Sequence, residues 1–198
     1  MVRDKRNAGK VDYYTTQQIH DTVRLRPNGD ADVTLEVLLV NSTPAGLPDP
    51  IVGSWVPYGL NVEMVNLYVP QRARFESIEP AEPIHFKTRP RGFRQHVEGG
   101  RARVFTDIVE TWPGHPVDLR IHYVVPGAAQ RTPNGFRYDL TLQHQPLAQP
   151  GSITVEVDLP PGSTVSSADP GWSVNADAAV FGATLDRDYT TGLTYSLP

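Results

Sequence analysis

Apolar side chains in this chain recur at every second position rather than at helical spacing. Val23 and Leu25 share one face before Pro27-Asn28-Gly29-Asp30, and Val33, Leu35, Val37 and Leu39 share one face after it. A half-buried strand requires this alternation, because successive side chains point to opposite faces of a sheet. Asn-Gly between two alternating runs signals a hairpin, since both residues tolerate positive φ. Residues 12–26 and 31–41 are therefore expected to form a long hairpin. Asn41 to Leu60 reads as a loop, punctuated by Pro44, Gly46, Pro48, Pro50, Gly53, Pro57 and Gly59. Strands are expected again over 61–69 and 72–79, with a break at Pro70. A second hairpin should join Phe93–Glu98 to Arg101–Thr111 across Gly99-Gly100. After the turn Pro113-Gly114-His115-Pro116, residues Val117, Leu119, Ile121, Tyr123 and Val125 alternate with Asp118, Arg120, His122 and Val124. That strand has one apolar face and one mostly wet face, with His122 on the wet side.

Pro126 to Gly135 is small, polar and turn-rich, and marks the clearest boundary. Beyond it Phe136, Tyr138, Leu140 and Leu142 form one strand, and Ile153, Val155, Val157 and Leu159 another. Shorter strands are expected at 171–175 and 178–184, and Tyr189 to Leu197 closes the chain. About twelve short strands with turns between them give an all-β fold. The expected architecture is an antiparallel, immunoglobulin-like β-sandwich followed by a smaller β unit packed on it, or one extended sandwich. The expected division is a flexible basic tail over 1–11, a sandwich over 12–126, a linker over 127–135 and the smaller unit over 136–198. A unit of that size buries little surface, so it is expected to lean on the first.

Composition narrows the class. Hydrophobic residues make up 39% and charged residues 20%, too apolar and too weakly charged for a disordered chain. The 19 prolines argue against a helical bundle. The longest purely aliphatic run is Val37–Val40, far short of a membrane span. A formal charge of −4 excludes a globally basic nucleic-acid binder. No cysteine is present, which removes disulfides, thiolate metal sites and thiol nucleophiles. Arg3, Lys5, Arg6 and Lys10 open the chain with no apolar stretch behind them, which is not a signal peptide.

No catalytic motif stands out. The histidines His20, His85, His96, His115, His122 and His144 show no metal-binding spacing. Gly53-Ser54-Trp55 lacks the second glycine of a nucleophile elbow. Asp30-Ala31-Asp32 and Asp186-Arg187-Asp188 have the alternating carboxylates of a calcium loop without its continuation, and turn chemistry explains the first more simply. No catalytic residue, metal or cofactor is assigned. Charge is the most informative local feature. From His85 to Arg103 the six cations Lys87, Arg89, Arg91, Arg94, Arg101 and Arg103 face Glu98 alone, on an otherwise acidic body. With His96, these residues are a candidate contact for an anionic polymer, a lipid headgroup or an acidic partner, because guanidinium groups grip phosphate and carboxylate in bidentate fashion. The bland alternative is a solvated edge strand whose charges block aggregation. Trp55, Tyr58 and Trp112, in or beside loops, are a weaker candidate platform for stacking on sugar rings.

Several stretches carry a resemblance. Lys10-Val11-Asp12-Tyr13-Tyr14 opens the first hairpin, and Asn41-Ser42-Thr43-Pro44-Ala45-Gly46-Leu47-Pro48 follows its second strand. Asn66-Leu67-Tyr68-Val69-Pro70 and Leu159-Pro160-Pro161-Gly162 come later. Together they resemble the C-terminal extracytoplasmic part of actinobacterial envelope proteins carrying the domain of unknown function 4012. In that family a membrane helix and a central domain related to cell-wall polymer transferases precede such a tail. The resemblance implies an extracytoplasmic, cell-envelope location, a membrane anchor elsewhere in the full-length protein, and a setting in glycopolymer assembly. It implies no active-site residue in this chain. The expectation is a non-catalytic binding or spacer module contacting an anionic cell-wall polymer or an envelope protein. The alternative is a hydrolase or transferase on envelope polymer with a composite site that sequence does not display.

Overall fold

Strands form where the alternation is strongest, because each can bury one apolar face and leave the other wet. The computed structural model describes residues 1–7, 9–53, 57–80, 94–100 and 102–198. The strands before the Pro126 boundary are β1 (Val2–Lys5), β2 (Thr15–Leu25), β3 (Ala31–Asn41), β4 (Asn61–Pro70), β5 (Arg74–Pro80), β6 (Arg94–Glu98), β7 (Ala102–Thr111) and β8 (Val117–Val125). After it come β9 (Ala129–Thr132), β10 (Gly135–Leu142), β11 (Ser152–Asp158), β12 (Thr164–Ala168), β13 (Trp172–Val174), β14 (Ala178–Thr184) and β15 (Tyr189–Ser196). One α-helical turn, Asp49–Val52, sits in the loop after β3. Among the described residues 62% are strand and 4% helix, so the all-β expectation holds.

The first hairpin is in full antiparallel register, with Thr15 opposite Asn41 and Leu25 opposite Ala31. Its turn differs from the expected one. Gly29 N–H donates to the Arg26 carbonyl and Arg26 N–H to that of Asp30. Gly29 alone takes positive φ, at 89°. Pro27 has the φ that the first position of an ordinary β-turn needs, so a left-handed glycine after that turn closes the hairpin. The same glycine takes a backbone approach: its carbonyl accepts from Ala129 N–H, and an added Cβ would lie 2.6 Å from the Ala129 carbonyl oxygen. Asp30 completes the junction by accepting from Gly127 N–H.

Among the described residues the strands form three sheets. One has seven strands in the order β13-β14-β11-β2-β3-β8-β5; the others run β1-β4-β7-β6 and β12-β15-β10-β9. The long sheet takes four strands from before the boundary and three from after it. They meet where β11 pairs with β2 in parallel, Ser152 beside Gln18 and Asp158 beside Arg24. The two four-stranded sheets cover this long sheet. Phe105 of β7 sets its ring edge-on to Tyr123 of β8, centroids 6.1 Å apart, and Phe181 of β14 does so with Tyr189 of β15 at 5.8 Å. One continuous core draws on all three sheets, including Val37, Val155 and Leu193 with no exposed surface. Burying side chains of this size contributes about 1.5–3 kcal/mol each.

Two stretches differ from the expectation. The residues expected as a flexible basic tail hold β1, which pairs with β4, and Arg3 within it is buried. Its guanidinium meets Glu63 at 3.3 Å. Its backbone N–H and carbonyl are both bound by the Gln145 amide, at 2.7 Å each. Backbone pairing decides here, so the local density of basic residues was misleading. The expected linker over 127–135 likewise holds β9, which pairs with β10. The polar composition of Gln130 and Arg131 reflects an exposed edge rather than a missing strand. Strand β12 follows a Pro-Pro-Gly turn and has no buried residue to mark it in sequence.

Because β11 is an interior strand between β14 and β2, the core cannot separate along the sequence boundary without exposing strand edges on both sides. The expected outcome is a single calorimetric unfolding transition, with van't Hoff and calorimetric enthalpies equal. Two resolved transitions would contradict the shared sheet.

Candidate ligand-binding site

The most unusual position in the core is Asp21. It sits in phase with the buried residues Thr15, Gln17, Ile19, Val23 and Leu25 of β2, so the pleat turns its carboxyl inward. Its register partners are Leu35 on β3 and Val155 on β11, both buried. Asp21 is 9% exposed, and its Oδ1 has no hydrogen-bond partner. Burial is the cause that pushes its pKa up to about 7. The phenols of Tyr123 and Tyr138 are raised as well, first by burial and then by the nearby Asp21 charge.

These three residues line one cavity of about 480 Å³. It lies where the three sheets meet. The long sheet contributes Ile19, Val23, Val33 and Ile153; β4 contributes Leu67 and Val69; β10 contributes Tyr138 and Leu140. Its exposed lining residues, Tyr68, Pro70, Arg72, Asp139, Thr141 and Gln143, mark where it meets solvent. The volume is within the range of small-molecule sites, roughly 300–1,000 Å³. An apolar wall with a few convergent polar groups is also what such sites share.

The basic hairpin flanks the mouth of this cavity. Ala102 lines it and pairs with both Pro70 of β4 and Glu98 of β6. Tyr68 donates to the Glu98 carboxylate at 3.1 Å. The described members of the expected cluster, Arg94, His96 and Arg103, are divided between two faces. Arg94 and His96 alternate onto one face of β6. Arg103 pairs with Val97, on the other face, and its Nε donates to the Gln71 carbonyl. His96 lies 3.9 Å from Glu98. Lys87, Arg89, Arg91 and Arg101 lie outside the described residues. Of the described members of this cluster, Arg94 and His96 share one face.

The aromatic candidates are also separate. Trp55 lies outside the described residues. The Tyr58 hydroxyl donates to the Pro44 carbonyl and accepts from Leu47 N–H, so it clasps the loop after β3. Trp112 is half-buried at a bridge to His115. The loop itself is anchored by buried Asn41, whose amide donates to the Gly59 and Thr111 carbonyls while its oxygen accepts from Thr43. The acidic triplets form turns and ion pairs. Asp32 pairs with Arg26, and Asp188 with His144 at 2.8 Å. Among the described residues no group of three His, Asp or Glu side chains could hold a metal ion. His122 is half-buried and hydrogen-bonds Thr34 across the sheet at 3.1 Å.

An unpartnered carboxyl in a core opposes folding, and the opposition depends on pH. In the unfolded chain Asp21 ionises near its ordinary value of about 4. In the fold it ionises near 7. At the most acid pH both states are protonated and nothing is lost. As pH rises from about 4 to about 7 the unfolded state gives up its proton first, so stability falls; above 7 the loss levels off at about 4 kcal/mol. Asp21→Asn should therefore raise the melting temperature by several degrees at pH 8 and shift it by less than about 2 °C at pH 4. Melting curves at both pH values check this. A variant less stable than the parent at pH 8 would mean that the carboxylate has a partner.

No family profile matches this chain, and no curated protein matches it either. Solved structures give distant likenesses. An M1 zinc metallopeptidase from Deinococcus radiodurans is 11% identical with a TM-score of 0.43, over 92% of this chain and 42% of the peptidase. A mutant of that enzyme gives 12% and 0.42 over the same shares. A Legionella pneumophila protein suggested to bind nutrients is 10% identical with a TM-score of 0.39, over 98% of this chain and 70% of its own. The chain thus spans less than half the length of the peptidases it resembles.

Proposed function

We propose that this chain is a non-catalytic binding module that takes a small, mainly apolar ligand into the cavity where its three sheets meet. The observation that carries this reading is Asp21: a buried carboxyl with no partner, facing a cavity of about 480 Å³. Natural cores break the rule that buried polar groups are paired mostly at functional sites. A side chain whose removal should stabilise the fold is retained against stability, as binding groups often are. The extracytoplasmic envelope setting implied by the resemblance is the proposed location for this activity.

A hydrolase or transferase reading would need a second acid–base or nucleophilic group beside Asp21. The two phenols nearest it are held above their ordinary range, so both are neutral at physiological pH and serve as hydrogen-bonding groups. A neutral phenol beside an acid suits recognition better than proton abstraction.

The test is a neutral apolar fluorophore, N-phenyl-1-naphthylamine, titrated with the purified chain. The expected result is a saturable rise in emission with one site per chain. Ala128→Trp, at a partly buried lining position, should weaken binding at least tenfold while the circular dichroism spectrum stays that of the parent. Saturable binding unchanged in that variant would place the ligand elsewhere.

A further inference from the structure

The cavity has mostly apolar walls, and one buried carboxyl among them. Asp21 projects from the central strand β2, buried, with Oδ1 unpaired. Tyr123 from β8 and Tyr138 from β10 stand close enough that its charge is felt by both phenols. We infer that the ligand of this cavity is an amine: an apolar body carrying one protonated nitrogen that docks on the Asp21 carboxylate between Tyr123 and Tyr138. This rests on the binding reading above and adds the chemical class of the ligand.

Three classes of head group compete for that position. An ammonium supplies the missing counter-charge and makes charge-assisted hydrogen bonds about twice as strong as neutral ones. An alcohol supplies one neutral hydrogen bond. A carboxylate meets a like charge, or must share a proton with Asp21. The apolar walls from Ile19, Val33, Leu67 and Leu140 bind the body of all three alike. Discrimination therefore falls on Asp21.

The other charged and titratable groups around the cavity do not replace it. Arg72, from the turn after β4, is exposed at the mouth and donates to the Gly127 carbonyl. Asp139 on β10 is exposed, and its carboxylate accepts from Arg137. Tyr68 on β4 donates to Glu98. Asp21 is thus the only lining carboxyl that is both buried and unpartnered among the described residues. Docking an ammonium favours its ionised form, so binding should release a proton in the range where the free carboxyl is protonated. Affinity for an amine should then climb with pH and level off once Asp21 is ionised in the free protein, near pH 7.

The experiment uses three probes with one apolar body: 1-naphthylmethylamine, 1-naphthylmethanol and 1-naphthoate. Dissociation constants are measured on the full chain by calorimetry or naphthalene fluorescence. At pH 8 the amine should bind at least about tenfold tighter than the alcohol, with the acid weakest. Between pH 5 and pH 8 the amine's affinity should rise by up to about a hundredfold, while the alcohol's stays nearly constant. Asp21→Asn should bring the amine at pH 8 down to about the alcohol's affinity and abolish the rise of the amine's affinity with pH. An alcohol bound as tightly as the amine, or an amine preference that survives Asp21→Asn, overturns the ligand class and leaves the cavity reading intact. Failure of all three probes overturns the cavity reading together with this one. The pH series on the parent chain decides the matter independently of how the variant folds.

Discussion

The parallel pairing of β11 with β2 is the constraint on which the rest of the structure depends. Parallel neighbours need a long connection, and here it runs through β3 to β10 before the chain returns. That return joins four early and three late strands into one sheet. It also places two separate four-stranded sheets side by side on that sheet. Two covering sheets that do not merge leave a gap over β2 and β3, and the cavity is that gap. Gln145, which binds both backbone groups of Arg3, ties the chain after β10 to β1 beside it.

The alternation of β2 was legible in sequence, yet its most important member was not. Val23 and Leu25 were legible because they are apolar and in phase. Asp21 is in phase with them too, but two residues further back, where a carboxylate reads as the start of a wet stretch. The signal was positional: an acid on the buried parity of a strand. Its environment comes from Leu35, Val155, Tyr123 and Tyr138, which lie up to 134 residues away in sequence, and no local pattern reports them. The strands β3 and β8 were clear for the opposite reason: from Ala31 to Leu39 and from Leu119 to Val125 each buried position carries an apolar or aromatic side chain.

Charge density misled where backbone pairing or strand parity had the last word. The basic residues at the start of the chain looked like a tail, but β1 offers backbone groups to β4 and a buried Glu63 to its Arg3. A buried pair of this kind adds little net stability, but removing either partner would leave the other uncompensated. Of the residues expected to form one basic surface near the second hairpin, the described ones are split by strand parity between two faces. Arg94 and His96 therefore part from Arg103.

The account stands or falls on the state of one carboxyl. A carboxyl-carbon NMR titration of Asp21 in the ligand-free chain, assigned by comparison with Asp21→Asn, measures it directly. The midpoint should lie close to pH 7. A midpoint near 4, the ordinary value for this side chain, would show Asp21 solvated or paired and would remove the basis for a ligand in the cavity.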